Sequence, residues 1–153
     1  MRQINRIIVH HSAGNPYDTV EQIREMHIKQ RGWSDIGYHY IIRQGKGNPV
    51  TLEPGRPPEK IGAHSQGENA DSIAVCVFGN WAENTLPAIM IRSLLLTTLV
   101  SLCKQYKLTT KDIFGHRECP GEHTLCPGFD MNLIREDVEH LLLHNNRGHN
   151  GTF

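Results

Sequence analysis

Apolar residues along this chain follow two rhythms in turn: short β-branched runs and longer helical stripes. Ile4 to His11 is short and rich in β-branched residues, which suits a buried strand, and Gly14-Asn15-Pro16 closes it. Thr19-Val20-Glu21-Gln22 has the form of a capping box. The helix it opens sets Val20, Ile23 and His27 on one stripe and stops near Gly32. Tyr38 to Arg43 alternates as a second strand, Gly45 to Gly47 turns, and Val50-Thr51-Leu52 reads as a short third strand. A proline-bearing loop from Gly55 to Pro58 leads to Gly62-Ala63-His64, and Ile73 to Phe78 is a further apolar strand closed by Gly79.

From Leu86 to Tyr106 the apolar positions Ala88, Ile91, Leu95, Leu99 and Leu102 keep helical spacing, so a long amphipathic helix is expected. Ile113-Phe114 reads as a last short strand, followed by a loop from Gly115 to Gly128. Asp130 can cap a C-terminal helix with Leu133, Ile134, Val138, Leu141 and Leu142 inward. Strands and helices interleave without repeat or linker, so the expected fold class is α/β (α+β), a central mixed sheet flanked by helices. One domain is expected over residues 1–144, with the polar stretch 145–153 as a frayed tail.

Charge narrows the function classes. Sixteen basic and sixteen acidic residues give zero formal net charge, which argues against a phosphate-neutralising nucleic-acid binder and a polybasic membrane binder. The N-terminus has no apolar leader, and the most apolar stretch, Leu86 to Cys103, carries Arg92, Ser93, Thr97, Thr98 and Ser101. A soluble chain made in the cytosol, without membrane insertion, is therefore expected. The four cysteines then read as thiols, metal ligands or buried apolar residues, not as a disulfide framework.

Ten histidines with those cysteines turn attention to zinc, which takes His and Cys and, in catalytic sites, keeps its fourth position open. Candidate ligands occur at the end of the first strand, His10-His11, and in the loop from Gly115 to Pro127. Adjacent strand residues face opposite ways, so only one of His10 and His11 can serve a given site. For any one histidine alone, a surface or hydrogen-bonded role is the commoner outcome. Read locally, His116, Cys119, His123 and Cys126 form H-x-x-C-x-x-x-H-x-x-C, a spacing that also suits a closed structural zinc knuckle. Zero net charge and a chain long enough to fold without a metal staple weigh against the knuckle.

Several of these segments appear together in a known order. Ile8-Val9-His10-His11-Ser12-Ala13 comes first, then Gly32-Trp33-Ser34-Asp35-Ile36-Gly37-Tyr38-His39-Tyr40 and Gly62-Ala63-His64. Ser72-Ile73 follows before the Cys76 strand, then Gly115-His116-Arg117-Glu118 and Cys126-Pro127-Gly128-Phe129-Asp130. This ordered set resembles the type 2 N-acetylmuramoyl-L-alanine amidases, which include amidase-type phage lysozymes and peptidoglycan-recognition proteins. The resemblance runs from about Arg6 to the C-terminal helix.

The resemblance implies that family's fold, one zinc ion per chain held by His10, His116 and Cys126, and Tyr38 beside it as a catalytic group. It also implies hydrolysis of the amide between N-acetylmuramic acid and L-alanine, with peptidoglycan or muropeptides as substrate. Small phage lysozymes place a lysine two residues before the cysteine ligand; this chain has Thr124, as active recognition proteins do, and Thr124 or His123 would support the oxyanion. The resemblance also places Cys119 in an inserted stretch, the ten positions from His116 to Cys126 being more than in some members of the family.

Beyond the metal, His64 and His27 are candidates to orient substrate, each against a structural alternative. His39 is expected to face away from Tyr38 and pack, Cys76 and Cys103 to be core thiols, and Trp33 and Trp81 to form either a cleft wall or core. Two alternatives stand beside the amidase: a noncatalytic peptidoglycan-binding module and the zinc knuckle. Noncatalytic relatives lose the cysteine ligand, which this chain keeps. A monomeric, endolysin-like enzyme acting on the cell wall after release is the expectation.

Overall fold

A computed structural model describes residues 1–47 and 49–147. Five strands, β1 (Arg6–His11), β2 (Tyr40–Gln44), β3 (Val50–Pro54), β4 (Ser72–Val77) and β5 (Ile113–Gly115), form one sheet in the order β3-β2-β4-β1-β5. β1 is parallel to both β4 and β5, β4 is parallel to β2, and only the β2–β3 hairpin is antiparallel. Three helices cover the sheet: α1 (Val20–Arg31), α2 (Ile89–Tyr106) and α3 (Met131–Arg147). The mixed α/β sheet expected from the alternating rhythms is what the chain forms.

The two faces of the sheet have different partners. Ile7 and Val9 of β1, Ile73, Val75 and Val77 of β4 and Ile42 of β2 pack beneath α2 and α3. Ile41, Cys76 and Phe78 point the other way, against Val20 and Ile23 of α1. Parallel strands need both faces covered, which is why β4 is buried along its whole length. The β3 edge is more open, with Leu52 exposed and Pro54 at its end.

Local signals hold at the helix ends. Thr19 and Gln22 close the capping box reciprocally, and Gly32 ends α1 in the left-handed region at φ 69°. Asp130 Oδ1 accepts from the backbone of Asn132 and Leu133, opening α3 as expected.

Three boundaries and one inward position differ from expectation. α2 begins at Ile89 and not Leu86, because the residue before Pro87 is driven out of helical conformation and Thr85 bridges Phe129 as extended chain. Leu133 is exposed, and Met131 takes the inward place in phase with Ile134 and Val138. Tyr38 and His39 precede β2, although their backbones still pair, His39 N–H with Ala74 O at 3.1 Å and Tyr38 O with Arg56 N–H at 2.8 Å. α3 continues through Arg147, past the expected tail boundary at Asn145; the rest of that tail lies outside the described residues.

Two loops bring the site together. The stretch 62–71 approaches the turn before Tyr38 so closely that a Cβ on Gly37 would sit 2.1 Å from Ala63 O. Ala63 N–H donates to Gly37 O at 3.1 Å, locking the two segments. The loop after β5 is clamped to α3, where Arg135 holds Glu118 through both guanidinium nitrogens at 2.7 and 2.8 Å. Glu118 also accepts from Gly115 N–H at 2.7 Å, so the clamp fixes the residue before His116.

Gly37→Ala should therefore lower stability by about 1–3 kcal/mol, as overpacking against fixed backbone does. Urea unfolding of the variant beside the parent checks it, and an unchanged midpoint would refute the close approach.

Candidate metal centre and active site

Strand order decides which residues meet. β1 and β5 are neighbours with Val9 opposite Gly115, so His10 and His116 emerge side by side at the carboxyl ends of adjacent parallel strands. Such ends are where open α/β sheets build ligand sites. His10 pairs in register with Cys76 and so points to the α1 face, whereas His11 points away. Their ring centroids place His116 4.5 Å and Tyr38 5.3 Å from His10.

Cys126 arrives from the loop before α3. Its Sγ lies 3.8 Å from His10 Nδ1 and accepts from His11 N–H at 3.2 Å. The donor atoms of His10, His116 and Cys126 all lie within 4.8 Å of one another. Cys119, the other cysteine of the loop, is not in that group; its thiol rests near Gly115 O at 3.9 Å.

The remaining nitrogen of His10 is taken. His10 Nε2 is 3.0 Å from His64 Nδ1, and His64 Nε2 is 3.0 Å from Ser72 Oγ. A proton on His10 Nε2 would leave Nδ1 with a free lone pair toward Cys126, the tautomer a ligand needs. His64 thus has both ring nitrogens engaged by protein, while its ring still lines the cleft.

Burial governs the electrostatics. Desolvation holds His10 neutral well below the usual imidazole range, helped by His64 and His116 nearby. It pushes the Cys126 thiol up to about 12, against the His11 N–H that favours the thiolate. Tyr38 is raised well above its ordinary value by burial, by Cys76 and Cys126 and by a hydrogen bond with Cys76, so its phenol stays protonated. A cation among these donors would reverse the preference of the thiol.

Two imidazoles and one thiol are the chemistry of a zinc site, and tetrahedral zinc sets N and S donors about 3.3–3.6 Å apart. The 3.8 Å between His10 Nδ1 and Cys126 Sγ is close to that spacing, so the residues fit the ion.

Around the donors lies a cavity of about 240 Å³, lined among others by His27, Tyr38, His64 and Thr124. It continues into a neighbouring groove of about 410 Å³ through shared residues Arg31, Trp33, Ala63, His64 and His116. Thr124 Oγ1 accepts from Cys126 N–H at 3.1 Å, leaving its own O–H free to donate. His27 Nδ1 accepts from Gly37 N–H at 3.0 Å, and its ring edges Trp33 and Tyr38. His123 is exposed and does not line either space.

The other residues settle as follows. Trp33 is a cleft wall with the Arg31 guanidinium 5.2 Å above its ring; Trp81 packs against the core. His39 is buried, accepting from Ala74 N–H and donating to Lys60 O. Cys76 and Cys103 are buried core thiols. Sequence reasoning missed Arg31 and Glu122 on the groove. Arg31 follows His27 by one helical turn, a spacing that could have found it; Glu122 has no such signal.

A mixed sheet with helices on both faces and a three-donor centre at its strand ends defines the class, and comparisons with known proteins agree with it. Residues 1–129 match the family described as N-acetylmuramoyl-L-alanine amidase. The endolysin of Escherichia phage T7 is 36% identical over 152 residues, 93% of this chain and 91% of that protein. The solved structure of N-acetylmuramoyl-L-alanine amidase LysC from Clostridium intestinale superposes with a TM-score of 0.76 at 32% identity, covering 90% of this chain and 86% of that one. The peptidoglycan recognition protein ectodomain complex of LCa and LCx, solved with tracheal cytotoxin bound, has a TM-score of 0.69 at 26% identity, covering 84% and 78%. The chain belongs to the N-acetylmuramoyl-L-alanine amidase family.

Neutral buried histidines make folding pH-dependent. Burial holds His27 and His39 down to about 4 and His64 to about 3. An unfolded histidine titrates near ~6.5, so below that pH the unfolded chain binds protons that the folded chain does not. Stability is therefore full above ~6.5 and falls with pH by up to about 1.4 kcal/mol per pH unit for each such histidine. Melting curves at pH 7.5, 6 and 5 check this on metal-free protein; equal midpoints throughout would refute it.

Proposed function

We propose that this protein is a zinc-dependent hydrolase that cleaves the amide between the lactyl group of N-acetylmuramic acid and L-alanine of peptidoglycan, acting as an endolysin. The observation that carries the reading is the convergence of His10, His116 and Cys126 beneath a groove, with Tyr38 and Thr124 beside them. The phage T7 endolysin, alike over nearly its full length, supports the cell wall as the place of action. Among the described residues no helix is long and apolar enough to cross a membrane.

His10, His116 and Cys126 would hold the zinc, which when bound supplies Lewis-acid polarisation of the scissile carbonyl and a more acidic water. The protein's own part is to place donors where charge develops. Water oxygen bonds to the carbonyl carbon, negative charge builds on the carbonyl oxygen, and the carbon–nitrogen bond then breaks. Tyr38, kept protonated by burial, and the free O–H of Thr124 donate to that oxygen. The attacking water gives up one proton and the leaving α-amine of L-alanine takes one up, and the Tyr38 hydroxyl relays it between them. Trp33 and Arg31 flank the groove, offering an aromatic face and a positive charge to the stem peptide.

A noncatalytic binding module would need the groove but neither a thiol ligand nor a protonated phenol beside it. Cys126 within the donor group and Tyr38 on the cavity wall favour the enzyme.

Incubation with intact sacculi and with soluble muropeptides should release stem peptides beginning at L-alanine and leave the sugars intact. Mass spectrometry of the products tests this, and new reducing ends without free peptides would overturn it. Preference for sacculi supports the endolysin reading; action on small fragments alone would assign the enzyme to recycling.

Variants separate the roles. Cys126→Ser should lose zinc and activity together, since a hydroxyl is a far poorer zinc ligand than a thiolate. Tyr38→Phe should keep zinc and lose about 10²–10³-fold in kcat, the usual effect of removing one oxyanion donor. Thr124→Ala should lose less, and Cys119→Ser should keep both zinc and rate. Metal analysis beside turnover measures each, and loss of zinc on Cys119→Ser with retention on His10→Ala would mean a knuckle instead.

A further inference from the structure

His10 and His116 differ in what their Nε2 atoms meet. His10 Nε2 has a well-formed partner in His64, whereas His116 Nε2 is buried and has no aligned hydrogen bond. The acceptor that faces it is Glu122 Oε1 at 3.1 Å, off the line of the ring N–H. Glu122 stands in the longer loop between the second and third ligands, where ten positions separate His116 from Cys126. No oxygen of Glu122 belongs to the converging donor group.

We infer that Glu122 is a positioning residue that orients His116 as a metal ligand, its carboxylate accepting a hydrogen bond from Nε2–H so that Nδ1 is left for the ion. The inference rests on the zinc reading above. An imidazole that ligates through one nitrogen carries its proton on the other, and a buried donor without an acceptor opposes that tautomer. A carboxylate there removes the penalty and makes the ligating nitrogen more basic.

The carboxylate is itself held. Ser65 Oγ donates to Glu122 Oε1 at 3.3 Å, and Asn69 Oδ1 accepts from both Ser65 N–H and His64 N–H, at 3.0 and 2.9 Å. One loop therefore supports both histidines: His64 directly behind His10, and Ser65 behind Glu122 behind His116. Side-chain exposures of 18% for His116 and 22% for Glu122 keep the pair largely out of water, where such a contact is strongest.

The test is zinc affinity, measured on metal-free protein by competition with a chromogenic chelator. Glu122→Ala should weaken binding by about 10–100-fold, the usual effect of losing such an outer partner. Glu122→Gln, which keeps an acceptor oxygen, should recover most of that loss. Ser65→Ala removes the loop contact and keeps the carboxylate, so its effect should be smaller than that of Glu122→Ala. Melting of the metal-free variants reads fold separately from affinity. Cobalt-loaded parent and Glu122→Gln should have the same visible absorption, because the coordinating atoms are unchanged.

Equal zinc affinity of parent and both Glu122 variants would overturn the inference while leaving the amidase reading in place. A changed cobalt spectrum in Glu122→Gln would overturn it by making Glu122 a direct ligand. Failure of the parent itself to bind zinc would overturn the metal reading on which it rests.

Discussion

The pairing of β1 with β5 is the constraint on which the rest depends. Because these short strands are neighbours and parallel, with Val9 opposite Gly115, the residues at their carboxyl ends emerge together. β1 has ordered strands on both sides and core packing under α2 and α3, so the direction of His10 is set by backbone geometry. A one-residue slip of β1 would turn His11 toward Cys126 and send His10 to the opposite face. The convergence of the three donors is thus a consequence of register first and of side-chain chemistry second.

Around that register the protein builds a buried, neutral polar layer. His10, His27, His39 and His64 are all held below the ordinary imidazole range, with burial the first cause in each case. Their ring nitrogens bond to backbone, to each other or to the Ser72 hydroxyl, so they act as fixed dipoles instead of charges. Cys126 and Tyr38 are pushed the other way, toward retaining their protons. These four histidines are uncharged around the donor group, and the nearest fixed positive charge on the cavity wall is Arg31. A divalent ion bound there would compete with the proton for the Cys126 sulfur.

Close backbone approach is the second structural requirement. Gly37 admits the 62–71 loop against the turn before Tyr38, and Gly128 does the same for the chain near Trp81, where an added Cβ would lie 2.1 Å from Trp81 O. Gly128 also adopts φ 88°, which favours glycine. These contacts bring the Cys126 loop and the His64 loop over the strand ends, and with them Thr124, Ser65 and Glu122.

Much of this was legible from the sequence because the signals are local. The period-two and period-3.6 patterns placed the strands and helices, the Thr19 and Asp130 caps marked two helix starts, and an ordered motif set pointed to the family and to His10, His116 and Cys126. Boundaries failed where nonlocal contacts compete with propensity, as at Leu86, which the Thr85–Phe129 bridge and Pro87 hold out of α2. What only the tertiary structure decided is pairing at a distance: which nitrogen of His10 faces the thiol, that His64 stands behind it, and that Glu122 faces His116. Such contacts join residues up to 116 positions apart, and no periodicity in a sequence encodes the angle at which two rings meet. Residue identity sets which donors exist; strand order and loop packing set where their lone pairs point.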